Sequence, residues 1–269
     1  QLQTVHLNTA LMALPVLVAA AAECGREEVS TGLIDGVLQL AVERENLVGA
    51  DEVAAAGAYA AFLRGDRPAA AAWADGFLSA KVPHIAEYSD LSQWAPQVFI
   101  CAKILHAAGA TEQIHKVIQP LSLLAASARR RGFTVEVLQC AVLLACCYWR
   151  MDQPAKALHW MQQGVEIGCP RGFRRVYFEP GAPVAEMLYT LLQRSVCPEA
   201  AAELLADYGA WSGARQAAQA LGRPLATPAT QPTAGGGIHA LSEREEEVLA
   251  LLAEQLSNKE IARRLNISA

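Results

Sequence analysis

Residues 138–165 read LQCAVLLACCYWRMDQPAKALHWMQQGV. Before Arg150 the apolar residues Leu138, Val142, Ala145 and Tyr148-Trp149 return every three or four positions, and after it Ala157, Leu158, Met161 and Val165 do the same. That spacing puts each set on one face of an α-helix, because about 3.6 residues complete a turn. Arg150-Met151-Asp152 supplies the turn between them. Pro154 falls in the first turn of the second helix, where its missing N–H leaves no bond unmade. The stretch predicts a hairpin of two amphipathic helices.

The same grammar extends upstream. Turn residues recur at Cys24-Gly25-Arg26, Arg64-Gly65-Asp66, Ala108-Gly109-Ala110 and Arg150-Met151-Asp152, and from Gly25 to Gly65 to Gly109 to Met151 the steps are 40, 44 and 42 residues. Glycine suits the left-handed position that ends a helix. Asp66-Arg67-Pro68-Ala69 repeats the helix-opening pattern of Asp152-Gln153-Pro154-Ala155. A lone hairpin leaves one apolar face in water, whereas stacked neighbours cover it. Residues 1–222 are therefore expected to form an all-α, tetratricopeptide-like α-solenoid of helix pairs. Its period exceeds the usual ~34 residues of such repeats, which implies longer helices or loops. Residues 173–182 (FRRVYFEPGA) are expected to interrupt it as a short β-prone piece closed by Pro180-Gly181, before helices at about 183–195 and 198–221.

Composition bounds the function. The chain has 269 residues, 53% hydrophobic, 18% charged and 6% aromatic, which fits one or two helix-rich globular domains. A net charge of −5 excludes a protein whose whole surface coats nucleic acid, so any DNA contact must be local. The seven cysteines are odd in number and include no C-x-x-C pair, which argues against a disulfide framework or a zinc site. Cys140, Cys146 and Cys147 read as small buried hydrophobes, and a cytoplasmic location is expected. The apolar run 10–22 follows no Lys or Arg and is too short to span a bilayer. It reads as a buried repeat helix, with no membrane association expected. Six scattered histidines nominate no nucleophile or metal site, so no catalysis is expected.

Beyond the solenoid the composition changes. Pro224, Pro228, Pro232 and Gly235-Gly236-Gly237 mark residues 223–240 as a flexible linker. In residues 241–269, Ser242 with Glu245 and Ser257 with Glu260 form two capping boxes, each able to start a helix. Val248, Leu249, Leu252 and Leu256 share one face of the first helix; Ile261 and Leu265 share one face of the second. Small Ala262 permits close approach and Asn266 suits a turn, so the segment opens like a helix-turn-helix.

That segment resembles the LuxR-type DNA-binding domain. It matches the family pattern through Leu241, Ser242, Arg244, Glu245, Glu247, Val248 and Leu249, then Ser257 to Ala262, then Leu265, Ile267 and Ser268. The resemblance implies promoter DNA as partner. It nominates Ser257, Asn258 and Lys259 as phosphate contacts at the start of the second helix, with Ser242 a weaker one. Ser257 as a plain cap and Lys259 as a solvated charge stand beside that reading. In the family the next residues form the recognition helix, and this chain stops at Ala269. A truncated domain in a fragment of a longer protein is therefore expected, without specific DNA binding of its own. Four basic against six acidic residues in 241–269 point the same way.

The longer region resembles the large ATP-dependent, MalT-like subfamily of LuxR-type regulators. Gly65-Asp66 with Ala71-Ala72-Trp73, Met151-Asp152 with Ala155 to Leu158, and Phe178 to Pro183 carry the likeness. No phosphate-binding loop of the form G-x-x-x-x-G-K-[ST] occurs, so no cofactor is expected in this chain and the ATP site is expected upstream. The resemblance implies that the repeats sense a small-molecule inducer or a protein partner, with self-association a further expectation. Trp73, Trp94, Tyr148, Trp149 and Trp160 could line such a groove, although helical spacing favours the core. Arg129-Arg130-Arg131 reads as a helix end before Gly132 or as an anion site. The competing function is a repeat scaffold for protein–protein interaction without DNA binding.

Overall fold

The computed structural model describes residues 13–22, 26–43, 47–85, 94–220 and Arg264. The chain divides into two compact units, residues 1–225 and 226–269. Helices of the first unit are α1 (13–22), α2 (Glu27–Glu43), α3 (Leu47–Leu63), α4 (Arg67–Ile85), α5 (Ala95–Ala108) and α6 (Thr111–Arg131). They continue as α7 (Thr134–Arg150), α8 (Pro154–Gly168), the four-residue α9 (Arg175–Phe178), α10 (Ala182–Gln193) and α11 (Pro198–Ala220). No strand occurs among the described residues. The unit is all-α, as expected.

From α2 to α8 successive helices pack on one another, and α3 on α5, α4 on α6 and α5 on α7 also meet. Neighbour and next-neighbour packing of this kind builds a stack of hairpins, because each pair covers the apolar stripe that the previous pair exposes. The predicted hairpin stands as α7 and α8. Leu138, Val142, Ala145, Ala157, Leu158, Met161 and Val165 are all buried in one core cluster, with Tyr148 and Trp149 packed against it. The opposite side of α7 gives Cys140, Leu143, Leu144 and Cys147 to a second cluster shared with α3 to α6. A helix apolar all round belongs in the middle of a stack, and α7 is there.

The turn chemistry holds at two of the four sites. Gly65 takes φ +95° between α3 and α4, and Asp152 takes φ +56° between α7 and α8. Gly109 corrects the expectation: its φ of −79° and ψ of 156° are extended, not left-handed. Glycine is needed there for room, since a Cβ would lie 2.7 Å from the Leu105 carbonyl oxygen. Gly25 lies outside the described residues. Gly132, at φ +75°, ends α6 and receives the Arg129–Arg131 run as its last turn. That favours the helix-end reading: Arg129 bonds Gln163 at 3.0 Å, and Arg131 lies over the Phe133 ring at 4.6 Å.

Residues 173–182 are not β. Arg175–Phe178 make a helical turn, α9, in place of the expected strand-like piece. β-propensity measures fit to a half-buried pleated surface, and no strand is present to offer one. Tertiary anchors decide instead. The Tyr177 hydroxyl is buried and donates to the Gly164 carbonyl at 2.7 Å. Arg174 donates to Asp207 at 2.8 Å and also pairs with Glu203, both on α11. The buried-helix reading of residues 10–22 needs one amendment. Leu14 and Val18 are buried on α1, but Val16 and Leu17 are exposed; residues 10–12 lie outside the described residues.

Candidate functional site

The four residues nominated by the C-terminal motif, Ser242, Ser257, Asn258 and Lys259, lie outside the described residues, as does the expected linker. Arg264 alone is described there; it is helical and exposed. The site that can be built from geometry lies in the first unit.

A cleft of about 390 Å³ opens between helices far apart in sequence. Ala19 of α1 and Trp211 of α11 both line it, with Tyr59 and Phe62 of α3 making a further apolar wall. Its polar groups are Arg67 from the start of α4, Lys103 and His106 from α5, Arg175 from α9, and Glu179 just after α9. At its centre Lys103 donates to Glu179 Oε2 at 2.7 Å, and Arg175 donates to Glu179 Oε1 at 3.0 Å. Lys103 also lies 5.3 Å from the Tyr59 ring centroid.

The local sequence explains why these groups meet. Lys103 and His106 are three apart, hence neighbours on one face of α5. Gly65 turns the chain, and Arg67, which opens α4, lines the same cleft. The α9 turn, pinned by Tyr177, carries Arg175 and Glu179 to the same place. The two carboxylate oxygens of Glu179 take one cation each. Burial by itself would raise the Glu179 carboxyl, but Lys103 and Arg175 more than offset it and hold the group below its ordinary value. Burial likewise disfavours the Lys103 ammonium, and Tyr59 and Glu179 reverse that, leaving its pKa raised.

His106 is different. It is 5% exposed, and burial followed by the nearby charges of Lys103 and Arg150 pushes its pKa down to about 4. At neutral pH its ring is therefore uncharged, with one N–H donor and one acceptor nitrogen.

The aromatics weighed for a groove lie elsewhere. Trp73, Trp94, Tyr148, Trp149 and Trp160 are partly buried against the core. Trp73 stacks on Phe77 at 5.5 Å, and Trp149 donates to Glu186 at 2.9 Å. The cleft's own aromatics, Tyr59, Phe62 and Trp211, were not singled out by the sequence, nor were Arg67, Lys103 and Arg175 as ligand groups. No spacing signal could have found them, since six helices and the segment after α9 contribute the cleft's residues. Cys140, Cys146 and Cys147 are buried as expected, and burial raises each thiol pKa. Among the described residues no group of three His, Cys, Asp or Glu could hold a metal ion. No described helix is long and apolar enough to cross a membrane.

Comparison with known proteins adds two matches. Residues 1–194 match the family model described as the MalT-like TPR region. Residues 239–269 match that of bacterial regulatory proteins of the luxR family. No curated protein and no solved structure matches the chain.

Proposed function

This chain belongs to the MalT-like TPR region family, carries a luxR-family segment at residues 239–269 and is a transcription regulator; on that premise we propose that its repeats sense a small molecule and its helix-turn-helix engages promoter DNA in the cytoplasm. The observation that carries the sensing half is the cleft between α1, α3, α5 and α11, where charged side chains and the aromatic groups of Tyr59, Phe62 and Trp211 share the lining of a space of about 390 Å³. Clefts of roughly 300–1,000 Å³ with a few placed polar groups are the usual form of small-molecule sites. Trp211, in the last described helix before the C-terminal segment, lines this cleft. Occupancy therefore acts on the element that leads into the DNA-binding part. Ser257, Asn258 and Lys259 serve as phosphate contacts, because a helix start offers free N–H groups and Lys259 adds a cation.

The test is chromatin immunoprecipitation of the full-length protein in its native cell, followed by binding titrations on the enriched sites. Enriched promoter sequences are expected. Lys259→Ala should weaken binding evenly across them and lower the salt slope by about one. A protein that enriches no DNA would instead be the repeat scaffold, and the regulatory reading would be wrong.

A further inference from the structure

We infer that the cleft binds a small organic anion, its carboxylate or phosphate group held by Arg67 and His106 and its apolar body lying against Tyr59, Phe62 and Trp211. The inference rests on the sensing role proposed above and adds the chemical class of what is sensed.

Two observations single out the anion. Arg67 lines the cleft with its guanidinium exposed, and among the described residues its side chain makes no hydrogen bond or ion pair. The other cations are committed, Lys103 and Arg175 both to Glu179. Arg67 thus adds a cation to the lining that no carboxylate of the lining pairs with. An arginine fork is the group best matched to a carboxylate or phosphate.

The second observation is independent of charge. His106 is 95% buried on the cleft wall (5% exposed), and its ring makes no hydrogen bond among the described residues. His106 lines the cleft, and its ring nitrogens are not among the wholly buried side-chain atoms that lack a partner, so they open to the cleft. A ring nitrogen there can meet a ligand atom as donor or acceptor. The neutral ring can donate its N–H to an anionic oxygen, and a ligand anion would offset the repulsion that Lys103 and Arg150 exert on a protonated one.

A neutral polyol would satisfy His106 but leave the Arg67 charge unanswered. A purely apolar ligand would strand both. The aromatic wall selects anions that carry an apolar body over inorganic ions.

The experiment is calorimetric titration of the whole chain with benzoate, phenyl phosphate and neutral benzyl alcohol at constant ionic strength. Either anion is expected to bind more tightly than benzyl alcohol, and whichever wins identifies the head group. Arg67→Gln should weaken anion binding about tenfold while leaving the fold intact, since the side chain has no structural partner. His106→Gln, checked for native helicity, should also weaken it. Arg129→Gln, outside the cleft, should not. Equal binding of all three probes, or anion binding indifferent to Arg67→Gln, would overturn the anion assignment. The promoter-enrichment experiment stands apart from these readouts, so its result reports separately on the regulatory reading.

Discussion

Lowering the pH should destabilise this protein through His106, and the size of the effect follows from where that ring sits. In the unfolded chain the imidazole takes up a proton near its ordinary value of 6.5; in the folded chain, buried and close to Lys103 and Arg150, it does so only at about 4. Between those two values the unfolded state binds more protons, so stability falls as the solution is acidified. The loss begins near pH 6.5 and is complete near pH 4. A proton mismatched over that interval removes about 3 kcal/mol, at ~1.4 kcal/mol per pH unit. For a domain whose stability is of order 5–15 kcal/mol, that is a large share. The comparison is wild type against His106→Gln, each unfolded in urea at closely spaced pH values and followed by circular dichroism. Other titrating groups are common to both proteins and cancel in the difference. The wild type should lose its ~3 kcal/mol relative to the variant across the window. Parallel stability curves would show that the ring is not held neutral, and the account of the cleft's electrostatics would fail with it.

Three further outcomes are expected. In Gly168→Ala the new Cβ meets the Tyr177 hydroxyl and lies 2.9 Å from Leu138 Cδ2, so the buried Tyr177–Gly164 bond breaks. A loss of about 3 kcal/mol should appear as a lowered Tm, whereas Gly36→Ala, with open space around it, should raise stability by up to ~1 kcal/mol. Glu179→Gln leaves the Lys103 ammonium, about a quarter exposed, without its counter-charge, and should cost about 2 kcal/mol in urea unfolding near neutral pH. Because the Glu179 carboxyl is held below its unfolded value of 4.5, that difference is present above pH 4.5 and closes as the pH falls through the folded value. Finally, brief treatment of the native protein with iodoacetamide should label Cys169 and Cys197, which are partly exposed, before the buried Cys140, Cys146 and Cys147; peptide mass spectrometry that finds the reverse order would contradict the packing of α7.

What could be read without coordinates was local. The α7–α8 hairpin was legible because its signals, apolar residues at helical spacing and Pro154 just past a turn, act within one or two helical turns of chain. Gly65 was legible for the same reason. The luxR-family segment was legible because its two blocks are contiguous runs, and residues 239–269 match that family. Errors arose where one residue type serves two physical ends. Gly109 is a glycine for lack of space against Leu105, not for a left-handed φ. Phe173, Val176, Tyr177 and Phe178 have strand-forming side chains, yet the Tyr177 bond to Gly164 and the Arg174 pairs to α11 make that segment a helical turn. Such decisions belong to partners met only after the chain has folded.

The cleft shows the division most clearly. The amino-acid order alone determined that this chain is a stack of helical hairpins with a luxR-type segment at its end, since helix periodicity and capping are short-range properties. It did not determine that Lys103 would meet Glu179, 76 positions away, or that Ala19 and Trp211 would line the same space. Those encounters depend on how successive hairpins stack, and stacking is set by the summed shape of many side chains rather than by any motif. A neutral buried histidine and an uncommitted arginine lining one cleft exist only in three dimensions. There the low-dielectric surroundings and the neighbouring charges of α5 and α7 give His106 a chemistry that its place in the sequence does not reveal.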